Sequence, residues 1–148
     1  MQGIDLHEFD NLTRSIDKLI ASGKEEKRKV LDRCGEIALS ELQKNIGLRV
    51  NDKNRKIRSF QELRKGSKGG YVAISPIKGE TGADSPGAIT NYLEGGHRTR
   101  EAKLYRKRKT PKKLYVKGYF FYEDTRADLE DKVVNEFENL ADKLSEVI

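Results

Sequence analysis

From His97 to Lys117 the chain carries ten cations, Arg98, Arg100, Lys103, Arg106, Lys107, Arg108, Lys109, Lys112, Lys113 and Lys117, against the single acid Glu101. Like charges at this density repel one another. The segment therefore cannot build a core and reads as a basic mobile loop or arm that orders when a partner neutralises it. Whatever folds has to be assembled from the two flanks. The apolar supply there is limited, because the 148 residues are 35% hydrophobic and 36% charged, with a mean hydropathy of −0.79. One modest core is the ceiling, and a single domain over residues 1–148 is expected.

On the C-terminal flank the charge changes sign. Glu123 to Ile148 holds nine acids against three cations. Leu129, Val133, Phe137, Leu140, Ala141, Leu144 and Ile148 recur there at helical spacing, which predicts a long amphipathic helix whose Phe137 and Leu140 cover a sheet. On the N-terminal flank Leu6, Phe9, Leu12, Ile16, Leu19 and Ile20 form one helical stripe, with Asp5 as its N-cap and Ser22-Gly23 as its stop. A second helix is read from Lys24 to Asn45, with Val30, Leu31, Cys34, Ile37, Ala38, Leu42 and then Ile46 at the same period. The two are expected to pack as a hairpin, with Cys34 a small buried apolar residue.

Between these flanks the helical period fails. Gly47 to Gly70 carries eight cations against two acids and reads as a loop leading into an edge strand. Gly66-Ser67-Lys68-Gly69-Gly70 is a turn signal, and Tyr71 to Ser75, ended by Pro76, is rich in strand formers. A β-hairpin of roughly Ile57–Arg64 with Tyr71–Ser75 follows. Ile77 to Gly87, with Gly79, Gly82 and Pro86, reads as loop. Ala88 to Glu94 suits either a strand or a short helix, closed by Gly95-Gly96. The expected fold is α+β: two N-terminal helices, a small mainly antiparallel sheet with a long basic loop, and a long C-terminal amphipathic helix.

The chemistry is narrow. One thiol, Cys34, allows no internal disulfide, and with only His7 and His97 beside it no zinc site is expected, nor any other metal or cofactor. There is no phosphate-binding Gly-rich loop, no Gly-x-Ser-x-Gly elbow and no His-x-x-x-His. His97 is the one candidate for a catalytic base, as in a small nuclease. No second histidine or acid cluster stands near it in sequence, so a polar loop residue beside a turn is expected and no enzyme is predicted. No apolar run approaches the ~20 residues of a membrane span, and Met1 to Asp10 lacks a signal-peptide pattern. A reducing cytoplasm is the expected place of synthesis. The formal charge of +6 suits a polyanionic neighbour. With Tyr105 and Tyr115 interleaved among the cations, that neighbour is either nucleic acid, bound through phosphates with some base stacking, or an acidic protein surface.

A more particular pattern lies around the basic segment. Tyr92-x-Glu94-Gly95-Gly96 precedes it, and Gly118-x-Phe120-Phe121 follows it and opens the last helix. With a strand before and a helix after, this resembles the tail-completion or head-tail joining proteins of long-tailed bacteriophages, the gene-product-ten-like family. That family shows a Tyr-x-x-Glu-x-Gly arrangement, whose places are taken here by Tyr92, Glu94 and either Gly95 or Gly96 with one residue fewer between Tyr92 and Glu94, and then a Gly or Pro before Phe. The order of elements also resembles the family's over most of the chain. One departure is that a Pro-x-x-Thr-Gly-x-Leu-like segment before the first strand is replaced by Arg55 to Arg64. The resemblance implies a structural virion component of the neck or tail end, assembled in the host cytoplasm. Such subunits form a homo-oligomeric ring on assembly; the charge of the 97–117 segment and its lack of apolar anchors separately suit a chain that is largely monomeric in isolation. The implied partners are the head-side connector and tail proteins, with possible contact to genomic DNA and none to membrane. Arg98, Arg100, Lys103, Arg106, Lys107, Arg108, Lys109, Lys112 and Lys113 are the expected partner- or DNA-facing residues, and a basic nucleic-acid-binding protein is the alternative.

Overall fold

A computed structural model describes residues 6–98 and 115–146. Its first element, α1, runs unbroken from Leu6 to Arg49. The expected stop at Ser22-Gly23 does not occur, so the predicted hairpin of two helices is a single rod. Gly23 is followed by Lys24-Glu25-Glu26-Lys27-Arg28-Lys29, all of them strong helix formers by the intrinsic scale and none of them breakers. Their side chains also pair along the helix, with Lys29 Nζ 3.2 Å from Glu25 and 2.9 Å from Glu26. One interior glycine costs about 1 kcal/mol, too little to end a helix that its neighbours favour.

After α1 come a short helix α2 (Lys56–Ser59) and strands β1 (Gln61–Lys65) and β2 (Val72–Pro76). The strands pair antiparallel from Gln61↔Pro76 to Lys65↔Val72. The turn between them is closed by Gly66 N–H on Tyr71 O and Gly69 N–H on Gly66 O, both at 2.9 Å. This is the hairpin the sequence predicts, with the first strand shorter at its start because Lys56–Ser59 is helical. Ala88 to Glu94 belongs to a helix, α3 (Pro86–Gly95). Its start is set by Ser85, whose Oγ accepts the Ala88 N–H at 3.3 Å, and by Pro86 in the first turn.

Two further short strands, β3 (Gly96–Arg98) and β4 (Tyr115–Lys117), pair antiparallel as a second two-stranded sheet. The expected mobile arm over 97–117 is corrected at both ends, which are strand, while residues 99–114 lie outside the described residues. His97, Arg98, Tyr115, Val116 and Lys117 lie in the ladder, where β-forming Tyr115 and Val116 supply the strand propensity.

The chain ends in α4 (Phe121–Ser145), antiparallel to the C-terminal half of α1. Arg49 meets Asp124 at 2.6 Å and Arg33 meets Glu136 at 3.1 Å, and Lys132 pairs with Glu41. Two apolar clusters line this contact. Val30, Cys34 and Leu140 form one, with Val133 and Leu144 against it. Leu42, Ile46 and Phe121 form the other, joined by Val50, Ile57, Ile74, Leu93 and Tyr122. Cys34 is buried as expected, and burial pushes its thiol pKa up. Phe137 departs from expectation. It remains 40% exposed, while Leu140 buries against α1 rather than against the sheet, because the apolar stripe of α4 is wider than α1 and the hairpin together cover. The class is α+β. Among the described residues no helix is long and apolar enough to cross a membrane.

Candidate functional site

The residues that carry the family resemblance are separated by more than twenty positions of chain, and the fold brings them together at the mouth of the basic segment. Glu94 is the hinge of this arrangement. Its carboxylate accepts the N–H of Tyr122 at 2.9 Å and of Glu123 at 3.3 Å, the first-turn donors that α4 cannot satisfy internally. A carboxylate placed there also meets the positive end of the helix dipole. In return, the chain entering α4 satisfies the end of α3: Tyr119 N–H donates to Leu93 O at 2.7 Å and Phe120 N–H to Glu94 O at 3.2 Å. The two helix ends cap each other.

Such close approach fixes the glycines. A Cβ on Gly118 would run into the Glu94 carbonyl oxygen and stand 2.7 Å from Gly95 C. Gly96 has φ 77°, and a Cβ there would meet the Val116 carbonyl and lie 2.7 Å from Gly118 N. Of the two glycines that fit the sequence pattern, Gly96 is the one the backbone requires. Gly95 has open space around its Cβ position, and its carbonyl accepts Tyr115 Oη–H at 2.9 Å. Phe120 takes φ 54°, a left-handed turn that aims Phe121 inward, where it is fully buried. Tyr92 is 44% exposed, and its ring lies 5.3 Å from that of His97.

Beneath the mouth lies a polar network whose members the sequence reading passed over. Gln61 Nε2 donates to Thr90 Oγ1 at 3.1 Å, and Tyr122 Oη–H donates to Gln61 Oε1. Burial, with a smaller push from the Glu94 charge, raises the Tyr122 pKa to about 12, so the phenol stays a donor. Asn45 Nδ2 donates to Thr125 Oγ1 at 3.0 Å and to Asp128 at 3.1 Å, joining α1 to the first turns of α4. Asp52 organises the α1–α2 loop by accepting the N–H groups of Ile57 and Arg58, each at 3.1 Å, and Arg58 Nε–H at 3.2 Å. Burial alone would raise its pKa, but these donors outweigh it and hold the carboxyl below its ordinary value. No periodicity marks such residues. The only sequence signal is a set of polar side chains at otherwise buried positions.

Of the expected partner-facing cations, Arg98 is exposed on β3 opposite Tyr115. Arg100, Lys103, Arg106, Lys107, Arg108, Lys109, Lys112 and Lys113 lie outside the described residues. His97 is half-buried, and among the described residues its Nδ1 has no hydrogen-bond partner. The described residues hold no group of three or more His, Cys, Asp or Glu side chains placed to bind a metal ion. What the arrangement supplies is mechanical. It is a braced mouth, set by backbone contacts, between whose strands run the sixteen residues from Thr99 to Leu114, eight of them cations. No family model, curated protein or solved structure matches the chain.

Proposed function

We propose that this chain is a structural virion protein of the phage neck or tail end, whose subunits form an oligomeric ring that joins or completes head and tail around the DNA path. The reading rests on the mutual capping of α3 and α4, because Tyr92, Glu94, Gly96, Gly118, Phe120 and Phe121 all serve it or border it. A pattern spread over two segments thereby acquires one physical purpose, to hold both ends of the basic segment while leaving its content free for a partner. The cations of that segment and the acids of α4 suit electrostatic contacts between unlike surfaces of successive subunits or with neighbouring virion proteins.

The test is the variant Arg106→Gln, Lys107→Gln, Arg108→Gln, Lys109→Gln in the phage or prophage that encodes the chain. Filled heads and tails should accumulate unjoined, seen by electron microscopy, while the thermal midpoint of the purified variant stays near that of the parent. Normal particle yield from the variant overturns the proposal. The alternative, a basic nucleic-acid-binding protein, predicts instead salt-sensitive binding of the purified chain to duplex or single-stranded DNA that the same four substitutions abolish, with particle assembly intact.

A further inference from the structure

The molecule leaves two apolar surfaces unmatched. The first is the N-terminal part of α1. Position 23 stands beside Leu144, close to the end of α4, yet α1 continues back to Leu6, about 25 Å further at 1.5 Å per residue. Along this overhang Ile16 and Ile20 are 47% and 51% exposed, and no described residue covers them. The second surface is a groove of about 660 Å³ walled by α1 (Leu31, Ala38), the β1–β2 hairpin (Leu63, Ile74) and α4 (Val133, Phe137). Val134 and Phe137 on its rim are 49% and 40% exposed.

The overhang cannot fill the groove of its own molecule, because both belong to the same continuous helix and α1 is itself one wall. Their charges match across molecules. Lys24 and Lys27 are exposed on the face that continues the Ile16/Ile20 stripe and form no ion pair among the described residues. On the α4 wall of the groove Arg126 and Glu130 stand one turn apart, and Glu138 lies one turn beyond Val134, outside the lining; both acids are exposed and unpaired among the described residues, so this wall and its rim carry two acids to one cation. A ridge with cations on one end of the chain and a slot with acids on its side make a contact between unlike surfaces. A contact of that kind propagates from copy to copy and closes when the rotation allows.

We infer that a second copy of this chain lays the Ile16/Ile20 face of its α1 overhang into the groove formed by α1, the hairpin and α4. The inference deepens the proposed ring, and rests on it, by naming its subunit contact. It is tested separately by sedimentation velocity on the purified full chain. The mean mass should rise with concentration between ~1 μM and ~1 mM. Ile16→Lys with Ile20→Lys, and separately Val134→Lys with Phe137→Lys, should each hold the chain at the monomer mass. Mixed in equal amounts, the two variants retain one good overhang and one good groove, so they should form a dimer and nothing larger.

A parent that stays monomeric throughout overturns the inference. So does a groove variant that still self-associates, since the overhangs would then pair with each other. Circular dichroism checks that both variants keep their helicity. Should either lose it, Lys24→Glu with Lys27→Glu and Glu130→Lys with Glu138→Lys serve in their place, each weak alone and associating when mixed. Loss of this contact with normal head-tail joining removes the inference alone. Intact self-association with no role in particle assembly removes the neck reading alone.

Discussion

The two apolar clusters along α1 and α4 differ in how many elements they join. Val30, Cys34 and Leu140 draw only on the two long helices. Leu42, Ile46 and Phe121 gather residues from α1, α2, β2, α3, α4 and the loop after α1. The first cluster holds one helix pair in register. The second decides where the mouth of the basic segment stands, because Phe121 is buried directly after the left-handed Phe120 and beside the Glu94 cap. Stability and placement are thus unevenly divided over a molecule that is poor in apolar residues.

The largest effect that would test this contrast is Phe121→Ala, expected to cost ~3–5 kcal/mol, the usual range for a fully buried aromatic. Denaturant unfolding measures it. A loss no greater than that of Leu140→Ala would put the two clusters on an equal footing. Leu140→Ala is expected to cost ~2–3 kcal/mol, since it empties a site joined by two helices only. Phe137→Ala, one turn away and exposed, should cost under ~1 kcal/mol.

Glu94→Ala comes next at ~1 kcal/mol, the ordinary worth of a helix cap, and should speed amide exchange at Tyr122 and Glu123 while leaving Val30 and Leu42 protected. Glu94→Gln keeps an acceptor and should lose less. Unchanged exchange in Glu94→Ala would mean that the cap does not hold the start of α4. The smallest effect is a pH dependence from Asp52. Its folded pKa lies below the unfolded value, so its contribution is complete above ~pH 4 and is lost as pH falls through the lowered value. Asp52→Asn should flatten the acid limb of the stability profile and leave the neutral region offset but parallel.

Much of the fold was legible from the chain because its cues are local. The Gly66–Gly70 turn and the apolar period of residues 121–145 each state their structure within a few positions. The motif glycines were legible as positions, though only the fold tells Gly96, where φ is positive, from Gly95, where nothing crowds a side chain. Two expectations failed for opposite reasons. Gly23 suggests a stop, but helix formers on its C-terminal side outweigh one flexible residue. The period suggests a core position for Phe137 because it reports a face and not how much of that face a neighbour covers. The Gln61–Thr90–Tyr122 network was invisible because its partners come from three elements far apart in sequence.

The ladder between Gly96–Arg98 and Tyr115–Lys117 has a consequence for how such a protein can change over time. It closes the intervening chain into a loop whose two feet are fixed, and the free energy of closing a flexible loop varies only with the logarithm of its length. Doubling the span from Thr99 to Leu114 would cost about 0.6 kcal/mol. The caps and clusters described above draw on no residue of that span, so its length and charge can change while the residues that build the scaffold stay the same.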